Sequence, residues 1–551
     1  MSSQSVGVER TLQTLLRSNN PAASDLLVVA LGSSVELLRL GAVRAIALRD
    51  DTKAHVALID RFSELEPDTQ AAIRDVPTRA PLLETLTEQI ENASSAKRAK
   101  RAAHLALIWR ALGALPAIVK AAQAGDPKEA RVFAAAAVAL SGEVERALIE
   151  EENREPGEKR QRGEDPAFVR RAAVDTLGRA LERYAEHQHQ ELIEALLLIT
   201  PHDEPSLVRA IRSEKHAAHE PLLESLRESD SRGAMAVLAN ALRDPSSPRE
   251  LLEIATQRSK PEAIEAIFKR VGNPIGARAR RSMERVESFA WFEPARLTAL
   301  LQLQADAQAT AMQLAAASKA SRRTLAEAVL LFLDQASDTG RRAASRAIER
   351  LPSHLAIESL AAALESNDPV VASTAARLLR KKDFPQAMGH LVKMLDNPET
   401  AVRQAAQRSL REISFAAFRD SYEILSEQEQ RRAGKLVAKA DPLASASLAS
   451  ELGSGAVSRR MRALEMIDLM HMAGDMSEEL VEALEDKDAG VRSEAARLLG
   501  DAPFKASIRE ALNEALEDRS SPVRAAAEAS LIRLDAYGVS ANLIDTKGMG
   551  S

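Results

Sequence analysis

The sequence contains no cysteine, few aromatic residues and no long apolar run. The absence of cysteine from all 551 residues excludes disulfide frameworks, zinc sites with thiolate ligands and cysteine nucleophiles. Aromatic residues make up only 3% of the chain, so its core must be built mostly from Ala, Leu, Val and Ile. Because Ala and Leu are strong helix formers while strand-forming residues are scarce, the composition predicts an all-α fold.

Acidic and basic residues are nearly balanced in number, and no segment has the character of a membrane anchor. The 74 basic and 80 acidic side chains give a formal net charge of −6, which is not that of a whole-chain nucleic-acid binder. The first ten residues lack a basic segment followed by an apolar one. Apolar runs such as residues 133–140 are far shorter than the roughly 18 residues that span a bilayer. We therefore expect a cytoplasmic protein without a membrane partner.

One short pattern recurs along the chain at a nearly constant interval. Near the C-terminus, Val491 and Arg492 are followed by Ala495, Ala496 and Leu499. The residue after the Val, or its equivalent, gives a series of anchors, which are Arg341, Ala372, Arg403, Arg431, Arg460, Arg492 and Arg524. The intervals between these anchors are 31, 31, 28, 29, 32 and 32 residues. A period in this range is typical of a stacked repeat protein.

Each clear repeat contains two helical stretches separated by a turn. The first stretch carries Leu pairs four residues apart, such as Leu480 and Leu484, which share one helix face. The turn often contains Asp-Pro or Asn-Pro, and these residues favour the start of the next helix. These dipeptides begin at Asp126, Asp165, Asp244, Asp368 and Asn397. One helix pair cannot bury enough apolar surface alone, so the pattern predicts an α-solenoid of stacked helix pairs with a period of about 31 residues.

The pattern Asp-x-x-x-Val-Arg-x-x-Ala-x-x-x-Leu resembles the HEAT-repeat family, specifically the short HEAT-like repeats of phycobilisome-lyase-type proteins. The resemblance is strong over residues 338–534 and degenerate between about 200 and 335. It is recognisable again near the N-terminus, at the anchors Arg39, Gln70, Arg101, Arg131 and Arg170. The resemblance implies a helical fold and a habit of binding other macromolecules, and it implies no reaction.

The repeats and their interruptions predict five regions. Residues 1–150 are N-terminal HEAT-like repeats, and residues 151–165 form a charged insertion that we expect to be a solvated loop. Residues 166–335 hold degenerate middle repeats, and residues 336–536 hold regular C-terminal repeats. Residues 537–551 lack helical periodicity and are predicted to be a tail.

The recurring Arg and Asp residues admit a functional and a structural interpretation. A ladder of charges could bind a ligand, but the same residues can form hydrogen bonds across successive turns and hold the stack in register. The structural interpretation is favoured because Arg and Asp recur at the repeat period itself, in Asp488 and Arg492 and again in Arg524.

The histidines offer two clusters that could suggest a metal site. His187 and His189 are two residues apart, which on a helix directs them away from each other. His216 and His219 share a face next to Glu220, but catalytic metal sites usually need three protein ligands. The HEAT-like deoxyhypusine hydroxylases use several His-Glu dipeptides, whereas this chain has only His219-Glu220. Surface histidines are favoured, and we predict no metal and no cofactor.

Residues 269–350 form a locally basic band. The band holds 14 Lys and Arg against 8 Asp and Glu, and it contains the densest aromatic group of the chain. Three interpretations are open: solvated helix faces with aromatics filling an irregular joint, a patch for an acidic protein, or a nucleic-acid surface like that of the HEAT-like DNA glycosylases. If the band binds a partner, the candidate residues are Arg278, Arg280, Arg281, Arg285, Trp291 and Phe292.

A methionine-rich stretch at residues 461–476 holds five of the twelve methionines, which more often fill a core than form an adaptable binding surface. No phosphate-binding loop, nucleophile elbow or paired-carboxylate motif is present in the sequence. We therefore predict no catalytic residues and a non-enzymatic scaffold or adaptor for protein–protein interaction. A nucleic-acid-binding solenoid and a bilin-lyase-like enzyme or enzyme accessory are the alternatives. The oligomeric state stays open.

Overall fold

The computed structural model describes the backbone of residues 3–124, 126–154 and 165–548, and the side chains of residues 7–124, 126–154 and 165–534. Every regular element within these ranges is a helix, so the all-α prediction is confirmed. The chain divides into two compact units, residues 1–324 and 325–551. Among the described helices, none has both the length and the apolar content that crossing a membrane would need.

The first unit is built from helices of about one to seven turns. Its α-helices are α1 (Ser3–Arg17), α2 (Pro21–Ala30), α3 (Glu36–Leu48), α4 (Thr52–Arg61), α5 (Pro67–Ala72), α6 (Ala80–Asn92), α7 (Ala96–Ile108), α8 (Leu115–Ala122), α9 (Pro127–Glu152), α10 (Pro166–Glu182), α11 (Tyr184–His187), α12 (Gln190–Ile199), α13 (Pro205–Arg212), α14 (His219–Glu228), α15 (Arg232–Arg243), α16 (Arg249–Thr256), α17 (Pro261–Val271), α18 (Ala277–Met283) and α19 (Ala305–Ala317). Its 3-10 helices are Phe62–Glu64, Ile73–Asp75, Leu112–Ala114, Ala290–Phe292 and Pro294–Gln302.

The second unit is described in the same terms. Its α-helices are α20 (Arg322–Gln335), which contains the boundary, α21 (Asp338–Ala347), α22 (Ser353–Leu364), α23 (Pro369–Leu378), α24 (Ala387–Met394), α25 (Thr400–Ser409), α26 (Phe415–Ser421), α27 (Glu427–Ala440), α28 (Ala444–Leu452), α29 (Val457–Met470), α30 (Ser477–Glu482), α31 (Ala489–Leu499), α32 (Ala506–Ala515) and α33 (Ser521–Gly548). Its 3-10 helices are Ile348–Arg350 and Ala483–Glu485.

Helices in the second unit stack at the repeat interval. Each helix that follows a turn packs on its counterpart one repeat later, in the series α21, α23, α25, α27, α29, α31 and α33. Within repeats, α22 packs on α23, α24 on α25, α28 on α29 and α32 on α33. This arrangement is a stack of helix pairs, so the predicted solenoid architecture is confirmed for this unit.

The first unit also stacks alternate helices. Near its start, α2 packs on α4, α4 on α6 and α6 on α8. From residue 190 onward, α12 packs on α14 and α14 on α16, while α15 packs on α17 and α17 on α19. Helix stacking therefore continues through the stretch in which the sequence period is degenerate.

The apolar stripe predicted for the second helix of each repeat is buried. In α31, Val491, Ala495 and Leu499 are all 0% exposed, and in α33 Val523 and Ala527 are also fully buried. Burying one such Val or Leu side chain contributes about 1.5–3 kcal/mol, and the small Ala residues let successive helices approach closely. The stripe is thus shared between neighbouring repeats, as α31 and α33 pack directly together.

Three of the predicted Asp-Pro turns start helices. Asp126, Asp165 and Asp368 each precede a helix that begins with proline, and each side chain accepts a hydrogen bond from the backbone N–H two residues later. At the two remaining turns the helix begins later, at Arg249 and at Thr400.

Arg492 links two repeats of the second unit. Its Nη1 atom donates to the backbone oxygen of Asp486, in the turn of its own repeat, at 2.7 Å. Its Nε and Nη2 atoms donate to the two carboxylate oxygens of Asp518, in the next turn, at 2.8 and 3.1 Å. The Arg492 side chain is 6% exposed and that of Asp518 is 15% exposed, so the pair is largely removed from water.

The same contacts extend to the repeats on either side. Arg460 donates from Nη2 to the carboxylate of Asp486 at 3.0 Å, one repeat later. Arg524 donates from Nη1 to the backbone oxygen of Asp518 at 2.7 Å. Arg460, Asp486, Arg492, Asp518 and Arg524 therefore form one continuous series of contacts, which we call the Arg–Asp ladder. The interpretation of these residues as contacts that hold the stack in register is confirmed here.

The Arg–Asp ladder predicts that acid weakens the second unit. Hydrogen bonds from Arg492 and from the N–H of Ser520 lower the pKa of Asp518 below its ordinary value of 3.8. A carboxylate with a lowered folded-state pKa contributes stability that is fully present above its unfolded pKa and is lost as pH falls through the folded pKa. We expect Asp518→Asn to be less stable than wild type at pH 7 and to lose less stability between pH 7 and pH 3, measured by urea titration. Parallel losses in the two proteins would contradict this.

Two sequence expectations concern segments that depart from the repeat. The backbone of α33 continues as helix to Gly548, so residues 537–548 are helical, and the tail assigned to residues 537–551 stays a prediction. The charged insertion at 151–165 begins inside α9, which ends at Glu152. Residues 155–164 lie outside the described residues, so the solvated loop stays a prediction.

Candidate functional site

The basic band at 269–350 is divided between the two units, and its six candidate residues all belong to the first. Arg278, Arg280 and Arg281 lie on the short helix α18, and Arg285 follows in the next turn. All four arginine side chains are exposed, and we call them the arginine surface. Arg278, Arg281 and Arg285 fall on one helical face because their spacing is three and then four residues.

Two members of the arginine surface are structural contacts. Arg278 donates from Nη2 to Oδ1 of Asp244 at 2.9 Å. Arg285 donates from Nη1 to the backbone oxygens of Pro245 and Ser247, at 2.6 and 2.9 Å. These bonds attach α18 and the turn after it to the turn before α16, so both side chains contribute to the shape of the surface.

Arg280 and Arg281 are different from their neighbours. Neither side chain makes a hydrogen bond or an ion pair with any residue that the structure describes, and both are exposed. Guanidinium groups without a carboxylate partner keep their full donor capacity, and each presents a planar fork suited to a carboxylate. They are the groups of this surface that can bind an external anion.

Trp291 and Phe292 are not part of an exposed surface, which corrects the aromatic half of the predicted site. Their exposures are 3% and 4%. The ring of Trp291 lies 5.1 Å from that of Phe268 in an edge arrangement and 4.4 Å from that of Phe289. The rings fill the region in which 3-10 helices at residues 290–302 replace a regular helix pair. The interpretation of these aromatics as filling an irregular joint is confirmed.

Two grooves flank α16, and Arg285 of the arginine surface lines one of them. One groove has a volume of about 410 Å³ and is lined by Arg249, Leu252, Glu253, Thr256, Gln257, Arg285, Val286, Glu287 and Ser288. The second has a volume of about 400 Å³ and is lined by Arg227, Glu250, Glu253, Ile254, Gln257 and Arg258. Glu253 and Gln257 line both, so they form the ridge between the two α16 grooves.

Sequence reasoning did not find the α16 grooves. They combine side chains from α14, α16 and the turn after α18, which are separated by tens of residues in a stretch with no readable period. The exposed Arg249 and Glu253 form an ion pair along the helix at 2.9 Å. Their spacing of four residues is the only feature of the local sequence that could have indicated a polar surface here. Such grooves offer donors, acceptors and apolar floor to an extended segment of another chain.

His216 and His219 do not form a surface metal pair. His219 is 4% exposed, and its Nδ1 atom lies 2.9 Å from the backbone oxygen of Ala210. Its burial corrects the expectation of a surface histidine, because the ring is used to satisfy a carbonyl inside the helix stack. Within the described residues, no group of three His, Cys, Asp or Glu is placed to bind a metal ion.

His187 and His189 do not point apart as a helix would require. α11 ends at His187, and Gln188 adopts a left-handed conformation with φ of 53°, so the two rings stack at 5.6 Å. His187 uses both nitrogens, since Nε2 donates to the oxygen of Ala180 at 2.9 Å and Nδ1 accepts from the N–H of His189 at 3.0 Å. The pair is therefore a local structural contact.

The methionine-rich stretch lies mostly in the core. Met466, Met470, Met472 and Met476 are between 0% and 4% exposed, and they belong to the apolar core of the second unit. Met461 is partly buried against the same core. The preference for core filling over an adaptable binding surface is confirmed for this stretch.

Comparisons with known proteins agree with the repeat. Residues 325–411, within the second unit, match a family model described as HEAT repeats. This segment contains the anchors Arg341, Ala372 and Arg403, so the HEAT-like character predicted from the sequence is confirmed there. A comparison with curated proteins finds no match.

Solved structures provide distant likenesses. A homology model of the full-length AP-3 complex in an intermediate open conformation is 12% identical, with 97% of this chain and 99% of that chain covered and a TM-score of 0.34. The crystal structure of Kap121p is 12% identical, with coverages of 98% and 76% and a TM-score of 0.24. The karyopherin Kap121p bound to the SUMO protease Ulp1p is 11% identical, with coverages of 96% and 72% and a TM-score of 0.22.

Proposed function

We propose that this protein is a non-enzymatic HEAT-repeat scaffold of the cytoplasm that binds an acidic segment of another protein at the arginine surface. The observation that carries the proposal is the state of Arg280 and Arg281, which are adjacent, exposed and without a partner among the described residues. Guanidinium groups bind carboxylates through paired, charge-assisted hydrogen bonds. The α16 groove that Arg285 lines supplies room for the residues that flank the acidic group.

An acidic protein segment is favoured over nucleic acid for two reasons. The chain has a net charge of −6, which disfavours approach of a long polyanion. Binding of single strands also relies on aromatic platforms, and Trp291 and Phe292 are buried instead of available for base stacking. A short acidic segment needs only a local positive patch.

The finer family assignment, to the phycobilisome-lyase type, rests on the Asp-x-x-x-Val-Arg pattern of the repeats. Residues of this pattern have structural contacts. Asp488 caps a helix, and Arg492 and Arg524 donate to the turns before their helices. A scaffold role accounts for them without a reaction. Copurification of a pigment with the native protein would instead support the bilin-lyase-like alternative.

Charge reversal of Arg280 and Arg281 is expected to weaken partner binding strongly. Affinity capture from the native organism with mass spectrometry identifies the partner, and its affinity is then measured for wild type and for Arg280→Glu/Arg281→Glu. Charge-assisted hydrogen bonds contribute about 1.5–3 kcal/mol each, so the variant should bind at least about tenfold more weakly. The fold should not change, because both side chains lie outside the core.

A matched control separates this site from general charge effects. Arg74→Glu/Lys97→Glu makes the same charge change at exposed residues of the first unit and should keep wild-type affinity within about twofold. Equal losses in both variants would show a nonspecific charge effect, and no loss in either would place the site elsewhere. A DNA duplex of about 20 base pairs that binds more tightly than the partner would support the nucleic-acid alternative.

A further inference from the structure

Three arginines of the second unit recur at the repeat interval on neighbouring helices. Arg346, Arg377 and Arg408 are 31 residues apart and lie in the last turn of α21, α23 and α25. The residues two positions before and two positions after them are all 0% exposed, and these are Ala344, Ala375 and Ala406, then Ile348, Leu379 and Leu410. The three arginines therefore occupy equivalent positions in three successive repeats, and we call them the basic row.

The basic row crosses a continuous surface because its three helices are stacked. α21 packs on α23, and α23 packs on α25. All three arginine side chains are exposed. The axes of packed helices lie about 8–10 Å apart, so the basic row can present guanidinium groups at about the same interval.

The members of the basic row have few partners within the chain. Arg377 donates from Nη2 to the Thr374 hydroxyl at 3.2 Å. Arg346 and Arg408 make no hydrogen bond and no ion pair with any residue that the structure describes. Most donors of the basic row are therefore available to an acceptor from outside the chain.

Arg497 occupies the same position in α31 and shows what an arginine at this position binds. It follows the anchor Arg492 by five residues, as each member of the basic row follows its own anchor. Its Nε and Nη2 atoms donate to Oε1 of Glu494 at 3.0 and 2.6 Å, and Nη2 lies 3.1 Å from the carboxylate of Asp468. The counterparts of Glu494 in the basic row carry no charge, and these are Ala343, Thr374 and Ala405. The carboxylate that satisfies Arg497 is thus missing from three successive repeats.

Further basic residues surround the basic row. The segments that contain its members and the turns after them hold eight Lys and Arg against three Asp and Glu, over residues 346–350, 377–383 and 408–412. Arg350, Lys381 and Arg411 are exposed and form no hydrogen bond or ion pair within the described part of the chain. The surface therefore combines unpaired donors at a regular spacing with a local excess of positive charge.

We propose that the basic row binds an extended acidic segment of a partner protein, in which carboxylates recur about every three residues. An extended chain rises about 3.3 Å per residue, so three residues span about 10 Å, which matches the spacing of packed helices. Each guanidinium group can then bind one carboxylate through paired, charge-assisted hydrogen bonds. The site lies in the second unit and is separate from the arginine surface of the first.

A short acidic segment is favoured over a long polyanion. The basic row ends at α25, because the equivalent residue of α27 is Leu436. Residues 413–535 then hold 23 Asp and Glu against 16 Lys and Arg. A nucleic acid that continued along the stack beyond α25 would meet this acidic part of the unit and be repelled.

The experiment uses the full-length Arg280→Glu/Arg281→Glu protein, in which the arginine surface no longer competes for an acidic probe. The probe is a labelled peptide of about 12 residues with Glu at every third position and with Gly and Ser between. Fluorescence anisotropy should show saturable binding. Adding Arg346→Glu/Arg408→Glu should weaken it at least about tenfold, because two of the three guanidinium groups become carboxylates. Circular dichroism melting should show that the fold is kept, since the replaced side chains are exposed.

Two matched controls separate the basic row from general charge effects. Adding Arg74→Glu/Lys97→Glu to the same starting protein makes an equal charge change at exposed residues of the first unit, and it should leave binding unchanged within about twofold. A peptide of the same composition with its Glu residues contiguous has the same net charge but cannot place one carboxylate at each helix. It should bind at least about fivefold more weakly.

Four results would overturn the proposal. One is the absence of saturable peptide binding, and another is equal affinity before and after Arg346→Glu/Arg408→Glu. A third is equal affinity for the spaced and contiguous peptides, which would show simple charge attraction. The fourth is tighter binding of a single-stranded DNA of about 12 nucleotides that depends on Arg346 and Arg408, which would make nucleic acid the occupant. Because Arg280 and Arg281 are replaced throughout, none of these results depends on whether the arginine surface binds a partner.

Discussion

Arg492→Ala is expected to lower the free energy of unfolding by about 3–5 kcal/mol. Alanine removes both hydrogen bonds to Asp518 and the bond to the oxygen of Asp486. The carboxylate of Asp518, whose side chain is 15% exposed, then keeps the N–H of Ser520 as a donor but loses its charged partner, and losing one member of a largely desolvated pair costs more than the pair itself contributes. Urea titration followed by circular dichroism measures the effect.

Arg431→Ala is the matched control for this variant. Arg431 occupies the same anchor position of the repeat, but it forms an ion pair with Glu427 on its own helix, and both side chains are more than half exposed. An exposed pair four residues apart contributes only about 0.3–0.5 kcal/mol. If Arg492→Ala were as mild as Arg431→Ala, the Arg–Asp ladder would not be what stabilises the stack.

Trp291→Ala is expected to destabilise the first unit by about 3–5 kcal/mol. The indole is almost fully buried and contacts the rings of Phe268 and Phe289, so its removal leaves a large cavity and two unmatched aromatic faces. The fluorescence of Trp109, which is also in the first unit, reports the transition in a urea titration.

The control for the tryptophan variant is an exposed aromatic of the same unit. Phe168 is 70% exposed, and Phe168→Ala should change the free energy of unfolding by no more than about 0.5 kcal/mol. A stable Trp291→Ala protein that had lost partner binding would instead show that Trp291 is an interface anchor.

The regular repeats could be predicted from the sequence because each of their signals is local. The spacing of Val491, Ala495 and Leu499 predicts one buried helix face, and the Asp-Pro turn at Asp368 predicts a helix start; the structure has both. The ladder followed from the recurrence of Arg492 and its counterparts at one interval. In a stacked repeat protein each repeat contacts only its neighbours, so the same contacts recur and a local sequence pattern is enough to predict the fold.

Features that depend on distant parts of the chain could not be predicted. Trp291 and Phe292 looked like interface anchors because scarce aromatics in a basic segment favour binding, but they fill a joint that the degenerate stretch leaves irregular. The α16 grooves join residues from several helices.

The sequence predicts the arginine surface as a run of basic residues. It does not predict which of these arginines bond within the chain and which have no partner. Arg278 and Arg285 differ from Arg280 and Arg281 only in what the turn at 244–247 offers them, which are one carboxylate and two carbonyl oxygens. That turn lies more than thirty residues away in the sequence. Tertiary contacts therefore decide which arginines are left to bind a partner.

Hydrogen exchange of the full-length protein, with and without the captured partner, tests the central claim most directly. The account predicts that the partner slows amide exchange in α16 and in residues 277–288, and that Arg280→Glu/Arg281→Glu removes this protection while Arg74→Glu/Lys97→Glu retains it. Protection confined to other helices, with exchange in α16 and residues 277–288 unchanged by the bound partner, would contradict it.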